Sequence, residues 1–228
     1  MPKFGVYYIP KAESEFYRLG SSIIGFDIHS QNELTLPKNI EKDWVTKAKP
    51  YGFHLTIGDA IDCNIKDIAS VKAELSKIIA CFDPNKHKFE LTKRSGKPLV
   101  DVLSKQVFVL RYNANKNLLM FQTLVAALIN PMGQGSVYTD EYKQNSTQDD
   151  PLPYKGHRIK KFYSPYVLNH YKPHFTLLNP YTGNTPEKIK KYLNNTFKKF
   201  KEIEIESICL VTQNAEGQNY EIREKFPC

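Results

Sequence analysis

Two hexapeptides of this chain carry chemically able residues at one spacing. YGFHLT fills residues 51 to 56 and YKPHFT residues 171 to 176, and both read Tyr-x-x-His-x-Thr. Alternate side chains of an extended strand share a face. His54 and Thr56 therefore point one way, as do His174 and Thr176, while Leu55 and Phe175 point to an opposite face that a helix can cover. Two imidazoles facing each other suit general acid and base work, because histidine titrates near neutral pH. A neutral ring removes a proton from an attacking oxygen, and a protonated ring gives one to a departing oxygen. A threonine hydroxyl beside each can donate to a non-bridging phosphoryl oxygen. The reaction that fits is the opening of a cyclic phosphodiester, or its microscopic reverse. The phosphate enters by symmetry and basicity; the histidine pair alone would suit other proton transfers.

A lone His-x-Thr in a strand is more often a packed or edge histidine than a catalytic one. Two copies, each with Tyr three residues ahead and each followed by helix and strand, favour a site. Other chemistries lack support. His170 and His174 are four apart, but Pro173 breaks a helix there and no Glu follows His170 as HExxH requires. Neither GxSxG nor GxxxxGK[ST] occurs. No metal and no cofactor is expected. Tyr51, Tyr171, Lys172 and Arg111 are the candidate substrate-binding residues. The tyrosines are odd-spaced from the histidines and so suit packing or the lip of the cleft. Lys172 and Arg111, with Lys49, would offset phosphate charge. His157 and Arg158 could close over a ligand, and His29 and His87, in polar surroundings, are expected to be exposed.

The elements that must hold these residues follow from periodicity and punctuation. Residues 3–9 read as a strand, and 14–25 as a helix with Phe16, Leu19 and Ile23 at helical spacing and Gly25 as its stop. A polar connection over 26–50 leads to the first His-x-Thr strand, 52–58. Helix 67–82 buries Val71, Leu75, Ile78, Ile79 and Phe82, with Asp67 as cap. Strands 88–93, 98–103 and 106–112 follow, then helix 116–129. Residues 131–158, rich in Gly, Pro, Asn, Gln and Asp, are expected to form a flexible excursion, a flap disordered in its middle. After the second motif come helix 186–200, capped by Thr185 with Pro186 in its first turn, a strand 202–211, a turn at Glu216-Gly217, and a strand 219–226. Each half thus holds a His-x-Thr strand, a helix and paired strands. The expected fold is α+β over 1–228: one bilobal domain whose two pseudo-symmetric lobes set largely antiparallel sheets around a central cleft, with helices on the outer faces.

The bulk numbers agree with a globular protein of 228 residues, 41% hydrophobic and 25% charged. A formal charge of +8 favours anionic partners without naming one. Cys63, Cys81, Cys209 and Cys228 show no CxxC spacing, which points to reduced thiols in a cytoplasmic protein. No run of 18 apolar residues suggests a membrane span, and the N-terminus does not read as a signal peptide.

The paired HLT and HFT resemble the signature of the 2H phosphoesterase superfamily. FGVYYIP, FYRLGSSIIGFD, KPYGFHLTIGDAI and YSPYVLNHYKPHFTLLNPYTG look like its DUF1045 branch. The resemblance implies that His54 and His174 are the catalytic imidazoles and that Thr56 and Thr176 contact the phosphate. It also implies a substrate such as a 2′,3′-cyclic phosphate, a 2′-5′-linked RNA end or ADP-ribose cyclic phosphate. The chain departs from that branch over 131–158, where relatives are helical and rich in Arg and Leu. The expected activity is a metal-independent cyclic phosphodiesterase acting on a phosphate-containing small molecule or an RNA terminus. The alternative is a non-catalytic RNA- or nucleotide-binding module using the same basic cleft.

Overall fold

The computed structural model of the protein describes residues 1–145 and 153–228. Its strands are β1 (Lys3–Tyr8), β2 (Phe26–Asp27), β3 (Asn32–Glu33), β4 (Leu55–Asp62), β5 (Phe89–Lys93), β6 (Val100–Leu103), β7 (Val107–Ala114), β8 (His174–Leu178), β9 (Glu202–Ile205), β10 (Ser207–Gln213) and β11 (Glu221–Pro227). The α-helices are α1 (Glu15–Ile24), α2 (Ile68–Ala80), α3 (Lys116–Leu124), α4 (Val137–Asn145), α5 (Pro153–Phe162) and α6 (Pro186–Phe197).

The fold is α+β, with two lobes of antiparallel strands about a central cleft. The strands run β11-β10-β1-β4-β8-β7-β5-β9, and β6 pairs with β7. β4, which begins at Leu55 just after His54 rather than at the expected 52, and β8 sit side by side at the middle, joined antiparallel through the single registered pair Leu55 and Phe175. One lobe extends from β4 through β1, β10 and β11, the other from β8 through β7, β5 and β9. β9 lies at one end of this order and β10 next to the other end, yet only Glu206 separates them in the chain. The sheet must therefore curl until its far strands approach each other. Tyr8 fastens the junction, its Oη donating to Glu206 Oε2 at 3.1 Å.

The single strand expected over 202–211 is thus broken at Glu206. The physical reason lies in its pattern. Glu202–Ile205 alternates as an edge strand does, with Ile205 buried and both glutamates exposed, whereas every residue of Ser207–Gln213 is buried. The expected helix 116–129 is α-helical to Leu124 and widens into a π-helical turn over Val125–Ile129. Neither Asp67 nor Thr185 makes the capping bond expected of it, and a 3₁₀ turn, Ile65–Asp67, precedes α2 instead. The region 131–158 carries α4 and α5; its middle, residues 146–152, lies outside the described residues.

Behind the central strands lies an aromatic layer. Leu55 and Phe175 are fully buried. The Phe175 ring stands 5.0 Å from Phe16 of α1 and 5.0 Å from Phe53, and Phe53 lies 6.4 Å from Phe197 of α6. α1 starts at Ser14, whose side chain accepts from Tyr17 N, and stops at Gly25, which adopts φ 76°. Gly20 lets this helix press onto the ring of Phe53: a Cβ there would stand 2.4 Å from three of its atoms.

Two principles disagree about Gly20→Ala. Helix propensity alone would stabilise by about 1 kcal/mol, while overpacking a rigid core costs about 1–3 kcal/mol. The ring is buried on all sides and has nowhere to move, so packing wins. Denaturant unfolding of Gly20→Ala should show a net loss of stability; a gain would mean the aromatic layer yields.

Candidate functional site

Antiparallel registration of Leu55 with Phe175 carries His54 toward Thr176 and Thr56 toward His174. All four side chains then project from the face opposite the aromatic layer, and all four are half-buried. The two rings are anchored alike. His54 Nδ1 is 3.0 Å from the Gly52 carbonyl oxygen, and His174 Nδ1 is 2.7 Å from that of Lys172. A carbonyl only accepts, so each Nδ1 carries the hydrogen and each Nε2 keeps a lone pair. Thr56 Oγ1, 3.1 Å from His54 Nε2, donates to it. Gly52 supplies its carbonyl from a backbone at φ 65°, and a Cβ there would meet Ile28 at 2.9 Å.

The surroundings of the rings are aromatic on one side and cationic on the other. Tyr7 stacks on His54 at 4.1 Å, and Tyr51 lies 6.0 Å from it while stacking on Tyr220 at 4.7 Å. Tyr171 donates from its Oη to the Thr56 carbonyl at 2.8 Å, tying the approach to β8 onto β4. On β7, Arg111 is registered opposite His174. Its Nη1 donates to Asp101 Oδ2 at 2.9 Å, and Arg94 Nη2 reaches the same oxygen at 3.1 Å. Lys172 is exposed and contributes the carbonyl that holds His174.

Burial governs the charges. It drives the His54 imidazole down to about 4, against the lift from the Gly52 carbonyl and with help from nearby His174. Burial also lowers His174; its Lys172 carbonyl opposes the shift, and the Arg111 charge adds to it. Both rings are neutral at pH 7. Burial pushes Asp59 up to about 6, and the Ser164 hydroxyl that donates to it works the other way. The phenols of Tyr7, Tyr138, Tyr166 and Tyr171 are raised by burial first, and the Asp59 carboxylate adds to each.

The structure thus brings together His54, Thr56, His174 and Thr176, with Tyr51, Tyr171 and Arg111 around them. Lys49 is set apart, paired with Glu33. Arg158 spends its Nε on the Pro165 carbonyl at 3.0 Å, and His157 is exposed. His29 and His87, expected to be exposed, are half-buried: His29 Nε2 donates to the Pro10 carbonyl and His87 Nδ1 accepts from Asp83 N, each at 3.0 Å. Sequence reasoning missed Tyr7, Asp59 as a carboxyl facing the phenols, and the Arg94–Asp101–Arg111 trio. An aromatic pair in an otherwise apolar strand was the only signal for Tyr7; the trio needs the β6–β7 pairing to be seen. Among the described residues, no three His, Cys, Asp or Glu side chains gather as metal ligands, and no helix is long and apolar enough to cross a membrane.

His54 and Asp59 oppose each other in pH dependence. Below the ordinary value of 6.5 the unfolded chain takes up a proton that folded His54 refuses until about pH 4, so its contribution falls as pH falls. Folded Asp59 takes up its proton near pH 6, well above the ordinary 3.8, so its contribution grows as pH falls. Asp59→Asn removes the second effect. Its unfolding temperature should drop more steeply than wild type's as pH is lowered from 6.5 to 4; an equal or shallower slope would refute the assignment.

Residues 137–221 match the family model described as "Protein of unknown function (DUF1045)". The match takes in β8 with His174 and Thr176 and the YSPYVLNHYKPHFTLLNPYTG stretch, and it bears out the DUF1045 resemblance. No curated protein matches the chain. Two solved structures are similar at low identity. "Structure of Kluyveromyces marxianus Usb1 with uridine monophosphate" is 8% identical with a TM-score of 0.35. "Structure of Kluyveromyces marxianus Usb1" is 9% identical with a TM-score of 0.38. Each alignment covers 100% of this chain and 97% of the other.

Proposed function

We propose that the cleft opens a cyclic phosphodiester, a 2′,3′-cyclic nucleotide or the cyclic-phosphate end of an RNA, by general acid–base catalysis from His54 and His174. The observation that carries this reading is their equivalence. Each Nδ1–H is spent on a backbone carbonyl two residues back, each Nε2 keeps its lone pair, that of His54 accepting from Thr56, and the strand register sets them on one face.

Both rings are neutral in the free protein, and a bound phosphate supplies the missing charge. Its negative oxygens favour the protonated form of the ring beside them, which makes one imidazole an acid while the other stays a base. The basic Nε2 takes a proton from water as the water oxygen bonds to phosphorus. The bond from phosphorus to one ribose oxygen breaks, and the acidic Nε2–H protonates that oxygen, leaving a phosphomonoester and a hydroxyl. Substrate orientation decides which ring plays which part, and ring closure exchanges the roles. Thr56 and Thr176 donate to the non-bridging oxygens, and Thr56 gives up its bond to His54 to do so. Lys172 and Arg111 offset the phosphate charge, while Tyr51 and Tyr171 shape the rim.

Hydrolysis of 2′,3′-cyclic nucleotides and of a cyclic-phosphate-ended oligonucleotide, in EDTA, tests the mechanism. His54→Ala and His174→Ala should each lower kcat by about 10²–10⁴-fold, with circular dichroism unchanged. Thr176→Val should lower it by about 10²–10³-fold, the scale of one lost donor to a developing charge. The wild-type pH profile should be bell-shaped. Undiminished turnover in either histidine variant overturns the mechanism, and nucleotide binding without any turnover favours a non-catalytic binding module.

A further inference from the structure

Beside His174 the surface opens into a cavity of about 410 Å³, walled by β7, by α3 and by the segment that leads into β8. That volume lies in the range of small-ligand sites, roughly 300–1,000 Å³. Three cations line it, Arg94, Arg111 and Lys172, and no carboxylate does among the described residues. Lys172 lies two residues before His174, and Arg111 stands opposite His174 across the β7–β8 ladder. The cavity therefore adjoins His174 through its neighbours, although His54, Thr56, His174 and Thr176 are not among its lining residues.

Asp101 touches both guanidinium groups, but through a single oxygen, Oδ2. One carboxylate cannot neutralise two guanidinium groups and an ammonium, so an excess of two positive charges faces the cavity. The arginine side chains are only 18% and 22% exposed. Two like charges held this far from water are costly without further anionic partners. Arg94 Nε is buried and has no hydrogen-bond partner among the described residues. Leu119 and Leu168, 40% and 50% exposed, add apolar surface to the same lining. Positive charge together with exposed apolar surface in one cavity fits a phosphate joined to a nucleoside.

We infer that this cavity binds a second phosphate of the substrate, that of the group adjoining the cyclic phosphate, through Arg94, Arg111 and Lys172. The inference rests on the phosphodiesterase reading and narrows its substrate: the preferred molecule carries two phosphates, one cyclic and one beside it.

The test compares a 2′,3′-cyclic mononucleotide with two molecules that add one phosphate. One is a dinucleotide ending in the same cyclic phosphate; the other is the cyclic mononucleotide bearing a 5′-phosphate. Wild type should favour at least one of them by roughly tenfold in kcat/KM, the value of one charge-assisted hydrogen bond. Preference for the dinucleotide identifies an internucleotide phosphate, preference for the other a terminal one, and no preference overturns the inference. Arg94→Gln should erase the preference. Asp101→Asn keeps the side chain's shape and its acceptor for Val102 N–H but replaces Oδ2, which accepts from both guanidinium groups, with an amide NH2 that cannot accept, so the released and unneutralised cations should increase the preference. A merely structural trio predicts lower unfolding temperatures for both variants with the preference unmoved, which also overturns the inference. Calorimetric titration with a dinucleotide ending in a 3′-phosphate separates the two readings. If no cyclic phosphate is turned over, yet Arg94→Gln weakens this binding roughly tenfold, the second-phosphate site stands and the catalytic reading falls. Turnover with preference and binding alike in all three proteins leaves the catalytic reading standing and overturns the second-phosphate site.

Discussion

Leu55 and Phe175 are where the two lobes share a backbone ladder, and the rest of the molecule is arranged around that pair. Each is flanked in sequence by its histidine and its threonine. The pairing fixes the height of one motif against the other, while the phenylalanines of α1 and α6 fix which face turns inward. A slip of one residue would bury four polar groups and expose two large apolar ones. The contact that joins the halves therefore also defines the cleft between them, and neither lobe holds the site without the other.

The cleft is uneven in charge. Tyr7 stacks on His54, and the Asp59 carboxylate acts on its phenol and on those of Tyr138, Tyr166 and Tyr171. On the β7 side lie Arg111 and Arg94, held by one carboxylate. Burial keeps the two imidazoles neutral. On the proposed reading, a cationic wall on the β7 side would draw a phosphate toward Arg111 and away from Asp59. The matched anchoring of His54 and His174 would let a symmetric phosphate bind either way round; the unequal walls break that symmetry.

Much of this is legible from local pattern. Alternation in HLT and HFT puts histidine and threonine on one face, and helical spacing locates α1, α2, α3 and α6 to within a few residues of their ends. What escapes depends on partners distant in sequence. The break at Glu206 is visible as a shift from alternating to continuous burial, but a run of β-branched and apolar residues reads as one strand until its two pieces find different neighbours. The helices within 131–158 are hidden by a polar composition with weak periodicity, since helices with little buried face leave little signal. Arg94 lies beyond the end of β5 and gains meaning only when β6 brings Asp101 alongside β7. Asp59 stands near His54 in the sequence, but nothing local announces the phenols it faces.

The position of β1 in the sheet orders events that a finished structure conceals. It precedes the other described strands in sequence, yet it lies between β4 and β10, and its second partner comes from far later in the sequence, with Lys3 against Gln213. Throughout synthesis both histidine strands exist before β10 does, and one edge of β1 stays unpaired. Closing so long a loop is entropically slow, and an apolar strand with a bare edge is the kind of surface on which chains associate wrongly. The segment from Ser207 onward, which pairs Cys209 with Tyr7 and brings Tyr220 against Tyr51, thus closes the open edge of β1 as well as backing the aromatic side of the site, and that edge stays bare until the segment has arrived.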